Sequence, residues 1–242
     1  MGVPTIGCDC AVCTSSDRRD RRTRPSILVE YDGHSILIDT TPDFREQAIR
    51  EGIRKLDAVL YTHGHADHIL GLDDLRPLSY HRGKIPLYGH PDVTSLVRRM
   101  FTYIFDADYK YGGLAQVELK PTEGPIELFG VTFEPVVVLH GDVPIFGYRF
   151  GSAAYLTDFS TIPESSFAQL QNLDILFLDA LRHRPHPTHS TVQNSLSIVE
   201  RLRPKRAFFT HICHDLPHEE TNASLPAHVR LAHDGLKMEF EI

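Results

Sequence analysis

The stretch YTHGHADHILGLDDL, residues 61–75, sets His63, His65, Asp67 and His68 within six positions, directly after the apolar run at 58–61. Imidazole nitrogens and carboxylate oxygens are donors that bind divalent metal ions. His63 and His65 are two apart, so both can face one way from an extended turn. Asp67 and His68, at the following bend, can face a second point. More metal-capable residues fall just past apolar runs: His140 after VTFEPVVVL, Asp158 after AAYLT and His211 after RAFFT. Rigid strands position what the loops beyond them present, so such ends gather into sites. The ligand count closes for two ions. His63, His65 and His140 can hold one, Asp67, His68 and His211 the other, and the two oxygens of Asp158 can bridge them. An open position then remains for a bridging hydroxide, which two ions generate at neutral pH by lowering the pKa of bound water.

A second cluster lies in GVPTIGCDCAVC. Cys8, Cys10 and Cys13 are too close in sequence for ordinary disulfide geometry among themselves. Read as reduced thiolates, they point to a cytoplasmic protein and a structural zinc. Tetrahedral zinc takes a fourth ligand, and either Cys213 or His214, both beside His211, can supply it. The segment HPTHSTVQNSL, residues 186–196, holds His186 and His189, with His183 just before it, and Ser190 or Thr191 is placed to cap a following helix. The basic run DRRDRRTRP, residues 17–25, reads as a solvated loop with internal ion pairs; a phosphate contact by one of its arginines is the lesser reading.

The elements that must position these residues follow from patterning. Apolar runs at 26–31 and 35–39 flank Asp32-Gly33, a hairpin signal. Strands are expected at 57–62, 85–88, 126–129, 131–139, 145–150, 153–157, 174–179 and 206–210. Helices are expected at 43–54, 92–105, 163–172 and 191–202, with a loop or lid at 106–118. Hairpins early and strand–helix alternation later imply sheets flanked by helices. The 242 residues, 41% hydrophobic, suffice for one soluble domain over 1–242, within which 79–118 reads as a lid or insert. A net charge of −7 argues against a general nucleic-acid binder, and no apolar run or leader-like start marks a membrane or export segment.

Taken together, THGHADH, VLHGD, YLTDFS and FFTHICH resemble the signature of the metallo-β-lactamase superfamily over nearly the whole chain. The resemblance implies an α/β fold, the αββα four-layer sandwich, with a two-metal site. The cysteine segment and HPTHSTVQNSL resemble the cyclic phosphodiesterase (PhnP) branch. There the structural zinc is completed by a histidine three past the last active-site histidine, here His214. A loop histidine, here His189, approaches the substrate phosphate. Asp67 would ligate and orient the hydroxide, and His189 would serve the leaving oxygen. HDGLKMEF resembles the family's terminal Asp-Gly turn and last strand. Relatives open with a strand and a GTG turn that this chain lacks, so a lost edge strand or a truncated start is expected. The resemblance implies two active-site ions (zinc or manganese, with iron as a further choice). It also implies a homodimer and a small phosphodiester substrate such as 5-phosphoribosyl 1,2-cyclic phosphate, with no membrane or nucleic-acid partner. Alternatives are a lactonase or thioesterase, a ribonuclease-Z-like nuclease, and a non-catalytic metal-binding sensor.

Overall fold

A computed structural model describes residues 2–80 and 83–242. Packing divides the chain into two compact units, Arg24–Gly124 and Met1–Thr23 with Pro125–Ile242. Each unit carries one sheet.

In Arg24–Gly124, β1 (Ile27–Tyr31) and β2 (His34–Ile38) pair antiparallel through Asp32 and Gly33. Both turn residues have positive φ, 46° and 76°, the backbone that a tight hairpin needs. α1 (Phe44–Glu51) leads to β3 (Ala58–Leu60), which is wholly buried, as expected of a strand inside a parallel sheet. Three short helical turns follow: α2 (Ala66–Ile69), a 3-10 helix (Leu70–Leu75) and α3 (Arg76–Ser79). Then come β4 (Ile85–Gly89), α4 (Pro91–Met100), α5 (Thr102–Phe105) and β5 (Val117–Pro121). The order is β1-β2-β3-β4-β5, with β2 to β5 parallel.

The helix expected at 92–105 is broken at Phe101, whose φ of −113° and ψ of 45° are not helical and whose ring is buried. The region 79–118 holds β4 and the start of β5, and among the described residues its longest irregular stretch is 106–116. His81 and Arg82, inside the lid expected at 79–118, lie outside the described residues.

In the other unit, β6 (Ile126–Leu128), β7 (Val131–His140), β8 (Val143–Phe150) and β9 (Ala153–Leu156) form an antiparallel meander. β10 (Ile175–Asp179), β11 (Arg206–Thr210) and β12 (Val229–Leu231) then add in parallel, giving the order β12-β11-β10-β9-β8-β7-β6. α6 (Val192–Leu202) connects β10 to β11, and its N-cap Thr191 accepts the Asn194 N–H at 3.1 Å. α7 (His218–Ser224) precedes β12.

Two further expectations are corrected. The helix at 163–172 is a 3-10 helix, Glu164–Leu170, entered from Pro163. The last strand lies before the Asp234-Gly235 turn, as β12, and residues after the turn form no strand. That tail is instead held by the Ser152 N–H on the Glu241 carbonyl (3.0 Å) and by Arg206 on the Glu239 carbonyl (3.0 Å). α7 and β12 had no signal in the periodicity because each is seven residues or shorter.

Core packing sets the strand ends. Leu156, Leu176, Leu178, Ala207 and Phe209 are completely buried in one cluster. Val59, Tyr61, Ile69, Leu72 and Leu87 are completely buried in the other unit's cluster. Burying one such Leu or Phe contributes roughly 1.5–3 kcal/mol. Gly71 brings the turn after α2 against the chain entering α1: a Cβ there would lie 2.0 Å from the Thr41 carbonyl oxygen. Gly71→Ala should therefore cost about 2 kcal/mol or more in urea unfolding. Gly124→Ala, with nothing within 4 Å, should stay near wild type.

Candidate functional site

Strand direction explains where the chemistry-bearing residues fall. In Arg24–Gly124, Asp39 follows β2 and Thr62 and His63 follow β3, at the shared carboxyl end of parallel strands. In the other unit, His140 ends β7, Asp158 follows β9, Asp179 ends β10 and His211 follows β11. β7 runs parallel to β9 because β8 is antiparallel to both. All four thus share one end of their sheet, where α/β folds place ligands.

Asp39 organises the first group. It is fully buried and accepts the Thr62 N–H (2.9 Å), the Thr62 hydroxyl (2.8 Å) and the Nδ1–H of His68 (2.7 Å). Burial pushes the Asp39 carboxyl up, and His68 and Thr62 oppose that rise. The Thr62 hydroxyl proton is committed to Asp39, so its oxygen accepts from His63 Nδ1 at 3.0 Å. In His63 and His68 alike, Nδ1 carries the proton and Nε2 the lone pair, the arrangement a metal-ligating imidazole has. The His63 ring lies 4.6 Å from His65 and 4.3 Å from His68, and Asp67 is 3.9 Å from His68. His65 is exposed and His68 completely buried.

Asp158 organises the second. Its carbonyl accepts the His140 Nδ1–H at 2.5 Å, its Oδ1 accepts the Thr157 hydroxyl at 2.5 Å, and its Oδ2 lies 3.2 Å from His211 Nε2. Burial pushes the His140 pKa down, which favours the neutral ring, the form that binds metal. Ligand atoms of His140, Asp158 and His189 lie within 4.8 Å of one another, as do those of Asp179, His189 and His211. His189 stacks on His211 (centroids 4.7 Å apart, planes at 8°) and meets His140 edge-on at 4.9 Å. Its Nδ1–H donates to completely buried Asp179 at 2.7 Å. Burial pushes the Asp179 carboxyl well up. Asp158 and His211 have left-handed backbone, φ 57° and 52°, and Asp39 likewise at 66°. Such strain, about 1 kcal/mol or more per residue, collects at functional positions.

Asp39 and Asp179 were missed by sequence reasoning, although the signal existed. ILID and LFLD repeat the pattern of YLTD, an apolar strand that ends in aspartate.

A third cluster is built on the N-terminal segment. Cys8, Cys10 and Cys13 place Sγ 3.2, 3.6 and 3.4 Å from Nδ1 of His214. Tetrahedral zinc with ordinary bond lengths sets sulfur and nitrogen about 3.5 Å apart, so the donor set fits a zinc ion. Cys213 stands outside this group and accepts the Asp215 N–H at 3.4 Å. Buried Arg22 ties the segment down through Asp20 (3.1 Å) and the carbonyls of Cys213 (3.4 Å) and Leu216 (2.8 Å). The basic run does carry internal ion pairs, Arg19 with Asp17 and Arg22 with Asp20. His183 is exposed, and His186 lies 5.0 Å from His189, ring to ring.

Against known proteins, the family model described as Beta-lactamase superfamily domain matches residues 34–212. The chain belongs to the metallo-β-lactamase superfamily, in its PhnP-like branch, a family of metal-dependent hydrolases. It is similar to a solved structure of "a New Diphosphatase from the PhnP Family" at 63% identity and a TM-score of 0.94, covering 100% of this chain and 94% of that one. The zinc-bound PqqB of Methylobacterium extorquens, at 22% identity and a TM-score of 0.78 over 99% of this chain and 96% of that one, shares the fold. An Octanoyltransferase of Porphyromonas gingivalis is 40% identical over 98% of this chain and 49% of its own length. A Ribonuclease Z of Bradyrhizobium diazoefficiens is 33% identical over 55% of this chain and 46% of its own. The chain thus spans about half the length of these curated relatives.

The thiols differ in environment. The Cys13 N–H beside Cys10 lowers its pKa to about 7, whereas burial pushes that of Cys213 up. The thiolate is the nucleophile, so a lower pKa means faster alkylation at a given pH. In metal-free protein, iodoacetamide at pH 7.5 should modify Cys10 well before Cys213 by peptide mass spectrometry. The Cys10 rate should climb as pH rises through about 7.

Proposed function

We propose that this protein is a metal-dependent phosphohydrolase that cleaves a small phosphoric or diphosphoric diester. Cyclic phosphates such as 5-phosphoribosyl 1,2-cyclic phosphate are the first members of the class to try. The observation that carries the reading is His189, set among His140, Asp158 and His211 and anchored by a buried carboxylate. The similarity to a protein named a diphosphatase supports the same reaction class.

His63, His65, Asp67 and His68 would hold divalent metal, as would His140, Asp158 and His211. Zinc and manganese suit this donor set. Ions held there would lower the pKa of water and offset charge on the phosphoryl oxygens. The rest is the chain's work. Asp39 fixes His68 directly and His63 through Thr62, so their ligating nitrogens are set before any ion arrives. Asp67 orients the attacking water. Asp179 holds the His189 ring in one tautomer and stabilises it when protonated, so that Nε2–H can protonate the leaving oxygen. The His214 cluster takes one structural zinc and pins the N-terminal segment beside the His211 loop. Four thiols with no disulfide suit a reducing, cytoplasmic setting, which belongs to the same proposal.

Purified protein loaded with manganese or zinc should open 5-phosphoribosyl 1,2-cyclic phosphate or split a dinucleoside diphosphate, followed by phosphorus NMR. Loss of turnover in Asp158→Ala ties the reaction to this site. Fully metallated protein that leaves every phosphate ester intact but hydrolyses lactones or thioesters would overturn the reading.

His189→Ala should lower turnover about 10²–10⁴-fold, with metal content by mass spectrometry unchanged. Asp179→Asn should lower it as well, because the amide cannot stabilise the charged ring.

A further inference from the structure

His186 shares a loop with His189, yet its hydrogen bonds prepare it for the opposite role. Its Nδ1 faces two donors of Thr188, the backbone N–H and the hydroxyl, each at 3.3 Å. A backbone N–H can only donate, so Nδ1 is the acceptor and the ring proton sits on Nε2. His140, His63 and His68 show the reverse arrangement, with Nδ1 donating and the Nε2 lone pair left to ligate. His186 is half-buried 5.0 Å from the His189 ring, and Thr188 rather than a carboxylate backs it. Burial first, then His189 and Arg182, push its pKa down, so the ring remains neutral. Its Nε2–H is then a fixed, uncharged donor.

The loop that presents this donor is braced. Arg182 donates Nε to the Arg184 carbonyl (3.2 Å) and Nη2 to that of Pro185 (3.0 Å), and Arg182 bridges to Thr191 across the loop. Thr188 sits over Gly141, the residue after His140; a Cβ there would come within 3.2 Å of the Thr188 methyl. A donor held this way gives up little entropy when it binds a ligand.

We propose that His186 is a specificity-determining residue that donates its Nε2–H to an anionic oxygen of the substrate's phosphoryl group, next to His189. This rests on the phosphohydrolase reading above. The contact gains strength from the negative charge of its acceptor and needs no proton transfer.

The test compares His186→Phe and His186→Gln with wild type, all metal-loaded, using bis(4-nitrophenyl) phosphate for kinetics and inorganic phosphate for titration calorimetry. Gln restores an N–H donor and Phe only the ring's bulk. Loss of one such bond should raise KM and the phosphate Kd about tenfold in His186→Phe, with kcat changed by less than threefold. His186→Gln should recover most of the loss. Unchanged KM and Kd in His186→Phe would overturn the proposal, as would equal losses in both variants, which would mark a merely structural ring. Calorimetry separates the two levels. Absent turnover with phosphate binding still weakened only in His186→Phe would sink the reaction and keep the donor. Wild-type protein that binds no phosphate would overturn the donor.

Discussion

A buried carboxylate is stable only if enough donors surround it, and in this protein the donors are clustered histidines and their neighbours. Asp39 and Asp179 are each completely buried, and each is anchored to an imidazole N–H at 2.7 Å. Removing the histidine would leave a charge in a dry core, and removing the carboxylate would free the ring to turn. Each pair therefore fixes a tautomer as well as a position. The strand geometry around them follows the same requirement, because the parallel register brings Asp39, Asp158, Asp179 and His211 to strand ends where such pairs can form.

The two histidine-rich groups illustrate three ways to orient an imidazole. A carboxylate fixes His68 and His189, a backbone carbonyl fixes His140, and a threonine hydroxyl fixes His63. The choice affects charge. At His189 the carboxylate partner favours the protonated ring and supports acid–base work, at His68 it fixes the tautomer, and a neutral partner leaves a plain ring. Chemical roles are thus written in the atoms behind the rings as much as in the rings themselves.

Much of this placement was legible in the sequence because metal-capable residues advertise themselves by type and by place. His63, His65, Asp67 and His68 crowd one strand end, and His140, Asp158 and His211 each close an apolar run. The hairpin through Asp32-Gly33 and the strand with the apolar run VVVL were equally plain. The anchors Asp39 and Asp179 were not, since a lone aspartate after a strand looks like any turn residue until its partner, up to 29 positions away, is folded onto it. The short turns between 66 and 79 and the 3-10 helix after Pro163 escaped for another reason. They are set by tertiary contacts and are too short to show a period. Between His214 and Cys213 only the folded chain could choose, because neighbours in sequence point to different places.

The left-handed backbone at Asp158 and His211 sets stability against selection. Glycine would relax both positions, and asparagine would tolerate them better than histidine does. A copy of this gene released from its task would thus find mutations here that improve folding while erasing two metal-capable side chains. Descendants that keep the fold and lose the chemistry should be easy to reach, and these two residues persist only where lineages still need what they hold.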